Sequence, residues 1–339
     1  MTPLSLPSPP SEWASFPIDL GFLTLTIHIY ALWILAGIIV ACALTAHRLT
    51  RRGAEPGVIV EIALGAVLLG LPGARIWHVV THPTDYFFVE GRDLLETLWK
   101  IIAIWEGGNA IFGSLVGGAI GIYLACRFTG LRFWSVADAL APGLLLAQAI
   151  GRIGNWFNQE LFGQPTDLPW GLEIDRPNPA IPVGLPDTVL FHPTFLYELL
   201  WNVLGAVLIL LIDRQWRLQW GKTLALYLIW YGTGRIWFES IRLDPSEVIL
   251  GLRSNVWGAI IAVALGVILF VVQSRRHPGA EPGPYRPGRE WKGDGKPVGS
   301  VYTASDFEHG DDADLDAVRH GAEKDSARTP ATSGNGTRP

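Results

Sequence analysis

The 339-residue chain is 49% hydrophobic with positive mean hydropathy, contains 15 Trp, and has a formal net charge of −5. Those values exclude an ordinary water-soluble domain, place the bulk of the chain in lipid, and leave no nucleic-acid partner to expect. The two cysteines, Cys42 and Cys126, both lie inside apolar runs, so neither a disulfide framework nor a metal site is expected, and no cofactor is.

In chain order, residues 1–19 read as an extramembrane tail, because Met1 to Pro17 is Pro/Ser-rich and has no basic region. Seven apolar windows of spanning length follow, at roughly 20–46, 57–80, 107–126, 134–156, 195–212, 222–239 and 254–273. The first begins too far from the N-terminus, and runs too long, for a cleaved signal peptide. The fold class is therefore all-α: a polytopic membrane protein whose seven transmembrane helices occupy residues 20–273.

Basic residues orient the bundle. Loops one, three and five and the exit from the last span carry ten, from Arg48 and Arg51 to Arg275 and Arg276, against five in the longer loops two, four and six. The bias predicts an N-terminus outside and a C-terminus in the cytoplasm. Residues 274–339 are Pro, Gly, Asp, Glu, Arg and Ser with few apolar side chains, the composition of a disordered cytoplasmic tail.

Three arginines interrupt apolar spans: Arg75 in the second, Arg152 in the fourth and Arg235 in the sixth. A charge at such a position costs roughly 2.5–3.5 kcal/mol on insertion scales, so it needs a partner or a task. With the predicted topology all three lie in the outer half of the membrane. Guanidiniums offer forked donors suited to phosphate, and a shared anion site is preferred to snorkelling.

Spacing supports a lined cavity. Tyr231, Arg235 and Glu239 fall at i, i+4 and i+8 with Arg242 at i+11, and Gln148, Arg152 and Asn155 share a face of the fourth span. Gly113, Gly117 and Gly121 at intervals of four make a packing surface on the third. The Glu106-Gly107-Gly108-Asn109 turn before it allows close backbone approach to a headgroup. Loop four holds seven prolines between Pro165 and Pro193 and ends in His192-Pro193-Thr194-Phe195-Leu196-Tyr197-Glu198; its length suits a cover or entry for substrate.

The segment Gly151-Arg152-Ile153-Gly154-Asn155-Trp156-Phe157-Asn158-Gln159-Glu160-Leu161-Phe162-Gly163 closely resembles the G-R-x-G-N-x-x-N-x-E-x-x-G signature of the bacterial phosphatidylglycerol–prolipoprotein diacylglyceryl transferase family. Further pieces match in order: Tyr30, Gly73-Ala74-Arg75, Asp138 with Ala141-Pro142, His192-Pro193 with Leu196-Tyr197-Glu198, and Tyr231-Gly232 with Arg235, Glu239 and Arg242. The resemblance covers residues about 20 to 273.

It implies a transferase of the bacterial plasma membrane that begins lipoprotein maturation. Such an enzyme moves the diacylglyceryl group of phosphatidylglycerol to the lipobox cysteine thiol of a prolipoprotein, forming a thioether and releasing glycerol phosphate. The implied partners are phosphatidylglycerol, the surrounding membrane lipid and prolipoprotein signal peptides. It also makes Arg152 and Arg235 the essential pair, with Tyr30, Asn155, Glu160, Gly163 and Tyr231 around them; Glu239 and Arg75 complete the expected phosphatidylglycerol site. Arg152 and Arg235 are assigned the phosphate, Asn155 a headgroup hydrogen bond, and Glu160 and Glu239 the orientation of the arginines. Glu198 and Tyr197 are expected to brace the fifth span.

One departure stands out. Many relatives have a histidine, proposed as the base, where this chain has Phe112. Three readings follow: that base is dispensable, His192 replaces it as the catalytic base, or the arginine field acidifies the bound thiol unaided. The last is preferred. A transporter is disfavoured because the chain lacks internal repeats, and an intramembrane protease because neither H-E-x-x-H nor G-x-S-x-G occurs.

Overall fold

Apolar runs become helices wherever they lack β-alternation, and the chain is mostly helical. A computed structural model describes residues 5–291 apart from 20, 22, 23, 90, 245 and 280. In order it forms β1 (Ser15–Asp19), β2 (Thr24–His28), α1 (Ile29–Arg51), α2 (Ile59–Thr81), α3 (Leu94–Ile102), α4 (Ile111–Thr129) and α5 (Phe133–Phe157). After these come β3 (Pro165–Thr166), β4 (Leu190–Phe191), α6 (Thr194–Trp216), α7 (Lys222–Ile241), β5 (Val248–Ile249), β6 (Leu252–Arg253) and α8 (Ser254–Arg276). Each strand pair, β1 with β2, β3 with β4 and β5 with β6, is a small antiparallel ladder.

Among the described residues, six helices are long and apolar enough to cross a membrane: α1, α2, α4, α5, α6 and α8. The chain is thus a polytopic membrane protein. The other expected span, near 222–239, is the 20-residue helix α7, whose Lys222, Arg235 and Glu239 dilute its apolar character.

The first expected span is corrected at its start. Thr24–His28 alternates polar and apolar residues, a period-two pattern, and pairs with β1, so the helix begins at Ile29 rather than near 20. The long second loop also contains an unforeseen element, α3. Asp93 Oδ1 accepts the Glu96 N–H at 2.7 Å to cap it, and Leu94, Leu95, Leu98, Trp99 and Ile102 stand exposed along it.

The described residues group into two compact units, one within residues 1–49 and 134–280 and the other within 50–133 and 281–339. In the second, α2 and α4 meet along glycines. A Cβ on Gly113 would lie 2.2 Å from the Gly73 carbonyl oxygen and one on Gly121 2.0 Å from that of Gly65, so the small-residue stripe is the packing surface its spacing predicts.

The expected disordered tail is corrected within the same unit. Arg132 Nε donates to the Tyr285 carbonyl at 3.0 Å, the Tyr285 hydroxyl accepts the Glu55 N–H at 3.0 Å, and Tyr285 is buried. Residues 281–291 are therefore a packed strap; residues 292–339 lie outside the described residues.

In the first unit α5 is the most buried span. Gly143 admits the Ala41 backbone of α1, while Asp138 caps α7 by accepting the N–H groups of Gly221 at 2.8 Å and Leu224 at 2.9 Å. Helices α6 and α7 are joined by a reciprocal tryptophan pair. Trp201 and Trp230 stack with ring centroids 4.3 Å apart, and each indole N–H donates to the other's carbonyl, at 3.2 and 3.1 Å. Gly205 and Gly234 leave room for the two rings. Glu198 lies one turn before Trp201 and Arg235 five residues after Trp230, so this lock brings the two charged side chains together.

Candidate functional site

Beyond Phe157 the chain cannot continue as helix. Gln159 and Leu161 adopt φ of 50° and 60°, a left-handed conformation costing about 1–3 kcal/mol for a non-glycine residue that its surroundings must hold. The reversal turns Glu160 back beneath the helix end. Its Oε1 accepts from Asn155 Nδ2 at 2.7 Å and from Asn158 Nδ2 at 3.3 Å, and Asn155 Oδ1 in turn accepts from Arg152 Nη1 at 3.1 Å. Glu160 therefore orients Arg152 through Asn155, not by direct contact.

Gly163 follows where three strands of chain cross. Its N–H donates to the His192 carbonyl at 2.9 Å, and a Cβ there would stand 2.7 Å from His192 Cβ and 3.0 Å from the Ile241 carbonyl oxygen. Next, Gln164 N–H donates to Ile241 at 2.8 Å. These bonds fasten the ends of α5 and α7 and the start of α6 around one locus.

The charged residues meet there. Arg152 Nη2 lies 2.7 Å from Glu198 Oε2 and Arg235 Nη1 lies 3.8 Å from the same oxygen, so one carboxylate on α6 bridges arginines from α5 and α7. Glu198 and Glu239 are buried, at 4% and 0% side-chain exposure, whereas Arg152 and Arg235 keep 15% and 16%. The carboxylates are the more buried partners, and the arginine side chains keep some exposure. Glu239 Oε2 lies 3.0 Å from Arg235 Nη2 and 3.7 Å from Arg242 Nη1, while its Oε1 lies 3.2 Å from Arg253 Nε and accepts from Asn255 Nδ2 at 3.1 Å. Asp244 closes the network on Arg242, at 2.7 Å from its Nε.

Tyr30 and Tyr231 are both brought to these helices. Gly154 seats the Tyr30 ring, since a Cβ there would be 2.7 Å from Cδ2, and Tyr231 stacks on Tyr227, whose hydroxyl accepts from Gln148 Nε2 at 2.9 Å. His192 Nδ1 pairs with the Tyr197 hydroxyl at 3.2 Å, and that hydroxyl also accepts from Trp170 Nε1 at 3.0 Å. Among the described residues the imidazole makes no hydrogen bond to Arg152 or Arg235.

Arg75 is buried in the second unit with its donors spent on carbonyls: Nε on Ile101 at 2.9 Å, Nη1 on Gly107 and on Gly108 at 3.0 Å, and Nη2 on Lys100. It also lies over the Tyr86 ring, 5.3 Å from its centroid. A guanidinium so occupied holds the Gly107–Gly108 turn and the end of α3. Phe112 is half-exposed with its ring 6.3 Å from that of Trp77.

Glu198, expected to brace the fifth span, places its carboxylate between the two arginines. A carboxylate near the start of an apolar helix needs a cationic partner, and that was the available signal. Arg253 and Asn255 carried none beyond their place at the entry to α8.

A polytopic bundle whose helix ends hold two partly exposed arginines on a buried glutamate base defines a class, the membrane proteins with a preorganised polar site. Comparison with known proteins gives the family. The model described as prolipoprotein diacylglyceryl transferase matches residues 17–272. The phosphatidylglycerol–prolipoprotein diacylglyceryl transferase of Leifsonia xyli subsp. xyli is 57% identical over 330 residues, 95% of this chain and 96% of that protein. Proteins of the same name from Bifidobacterium longum (strain NCC 2705) and Cutibacterium acnes are 49% and 46% identical; the alignments cover 73% and 81% of this chain and 80% and 88% of those proteins. The chain belongs to the prolipoprotein diacylglyceryl transferase family.

Proposed function

We propose that the Arg152–Glu198–Arg235 constellation is where this chain performs its family's reaction. The chain is a transferase that moves the diacylglyceryl group from phosphatidylglycerol to prolipoproteins, the first step of lipoprotein maturation. The observation that carries the assignment is the pair of arginines from two helices meeting on Glu198 Oε2, at 2.7 and 3.8 Å.

In our reading the exposed parts of Arg152 and Arg235 take the phosphate of phosphatidylglycerol, and Asn155 donates to the headgroup. Tyr30 and Tyr231 flank it, Gly163 keeps the crossing tight, and Glu160 and Glu239 orient the arginines. The acceptor is the lipobox cysteine. Its thiol gives up its proton, which ends on the released glycerol phosphate; the thiolate sulfur bonds to the glyceryl carbon, and the carbon–oxygen bond to phosphate breaks. The bonding pair stays on the departing oxygen of glycerol phosphate, and the product is a thioether. Fixed guanidiniums stabilise the charge developing on that oxygen, and their field favours the thiolate, so His192 need not act as base.

We further assign seven spans, with α7 as one of them, an N-terminus outside and a C-terminus in the cytoplasm of a bacterial plasma membrane. The ten-to-five bias of basic residues supports this orientation. The test incubates purified protein with phosphatidylglycerol and a lipobox peptide and weighs the peptide. A diacylglyceryl adduct on the cysteine is expected; an unmodified peptide overturns the proposal.

A further inference from the structure

Residues 5–9 lie in extended form along the loop between α5 and α6. Leu6 N–H donates to the Gly171 carbonyl and Glu173 N–H to the Leu6 carbonyl, both at 2.9 Å, so Leu6 pairs parallel with Leu172. Leu172 pairs on its other side with Phe191, at 2.7 and 3.0 Å. Leu6 thus adds a strand to an edge that the loop would otherwise present bare.

The rest of the segment is held in the way proteins hold peptides, by its carbonyls and one apolar socket. Trp156 Nε1 donates to Pro7 at 3.3 Å and Gln159 Nε2 to Pro9 at 2.9 Å, while the Ser5 and Ser8 hydroxyls reach Glu173. Leu6 packs on the cluster of Phe162, Leu172, Phe191 and Phe195. Pro7, Pro9 and Pro10 lack N–H groups, and among the described residues the segment's reciprocal main-chain pairing is made at Leu6. A tether of this kind is exchangeable, because a few hydrogen bonds contribute about 0.5–1.5 kcal/mol each.

The seat is built partly from residues close in sequence to those assigned to the reaction. Trp156 follows Asn155 directly, and Phe195 lies three residues before Glu198 on α6. We propose that this edge and socket are the docking site for the extended stretch of acceptor polypeptide beside its reacting cysteine, and that residues 5–9 occupy it in cis as a displaceable stand-in. An aliphatic side chain of the acceptor takes the place of Leu6, and its main chain pairs with Gly171 and Glu173. The inference rests on the transferase reading for the nature of the acceptor.

The test is equilibrium binding, which needs no turnover. The probe is a fluorescent peptide spanning the cysteine region of a bacterial prolipoprotein, with serine in place of cysteine. The full-length protein in phosphatidylglycerol nanodiscs is compared with a variant lacking residues 2–10 and with Leu6→Ser. Removing a tethered competitor should tighten probe binding about threefold or more in both variants, and a free peptide of residues 2–12 should compete with the probe. Unchanged or weaker probe binding in a folded Leu6→Ser protein, or no competition by the free peptide, overturns the proposal. Loss of transfer to the cysteine peptide, with these binding shifts intact, would instead count against the transferase assignment.

Discussion

Replacing Glu198 by glutamine removes one charge and almost no volume, so it isolates the electrostatic work of the bridge. In the parent, Oε2 lies 2.7 Å from Arg152 and 3.8 Å from Arg235, on a carboxylate only 4% exposed. A hydrogen bond to a charged acceptor contributes about 1.5–3 kcal/mol against about 0.5–1.5 for a neutral one, and two guanidiniums then face each other without the shared counter-charge. Removing one partner of a buried pair outright costs about 3–5 kcal/mol. Glutamine keeps one acceptor, so about 2–3 kcal/mol of lost stability is expected. With the arginines no longer held against one anchor, kcat/KM for transfer should fall about 10- to 100-fold, at 1.36 kcal/mol per decade. The assay pairs thermal unfolding in nanodiscs with mass-resolved transfer kinetics. A Glu198→Gln protein with parental unfolding temperature and parental kcat/KM would refute the bridging role.

Two other outcomes follow from the geometry. Arg75→Lys should unfold at a lower temperature while the folded fraction keeps near-parental kcat, because a lysine ammonium has three donors for the carbonyls of Lys100, Ile101, Gly107 and Gly108; thermal melts with active-site-normalised rates check it. His192→Ala should retain transfer and Phe112→His should gain little, since the His192 ring is engaged with Tyr197 and not with the arginines; initial rates on a lipobox peptide decide.

The parts of the site legible from spacing are those held within one helix. Arg152 with Asn155, and Arg235 with Glu239, sit at i, i+3 and i, i+4, and both pairs form as contacts at 3.1 and 3.0 Å. Span positions were legible for a similar reason: length in apolar residues is a local property, and six of the expected windows became long apolar helices. What depended on neighbours was not legible. Whether Glu198 meets Arg235 depends on the Trp201–Trp230 lock, and whether it meets Arg152 depends on the chain crossing at Gly163, neither of which has a period. The carbonyls that meet Arg75 come from the Gly107–Gly108 turn, with φ of 90° and 69°, and no spacing announces them. The strap at 281–291 has the composition of a disordered segment and is ordered by Arg132 and by the Glu55 amide reaching Tyr285.

The central claim, that Arg152 and Arg235 stabilise the departing phosphate, is met most directly by one comparison. Transfer rates from phosphatidylglycerol to a lipobox peptide are measured for Arg152→Lys, Arg235→Lys and parent protein in the same nanodiscs. Lysine keeps the charge but not the forked donors, so each variant should lose about two orders of magnitude or more in rate while remaining folded. Rates within about threefold of the parent in both variants, too small a change for a lost transition-state contact, would contradict the account.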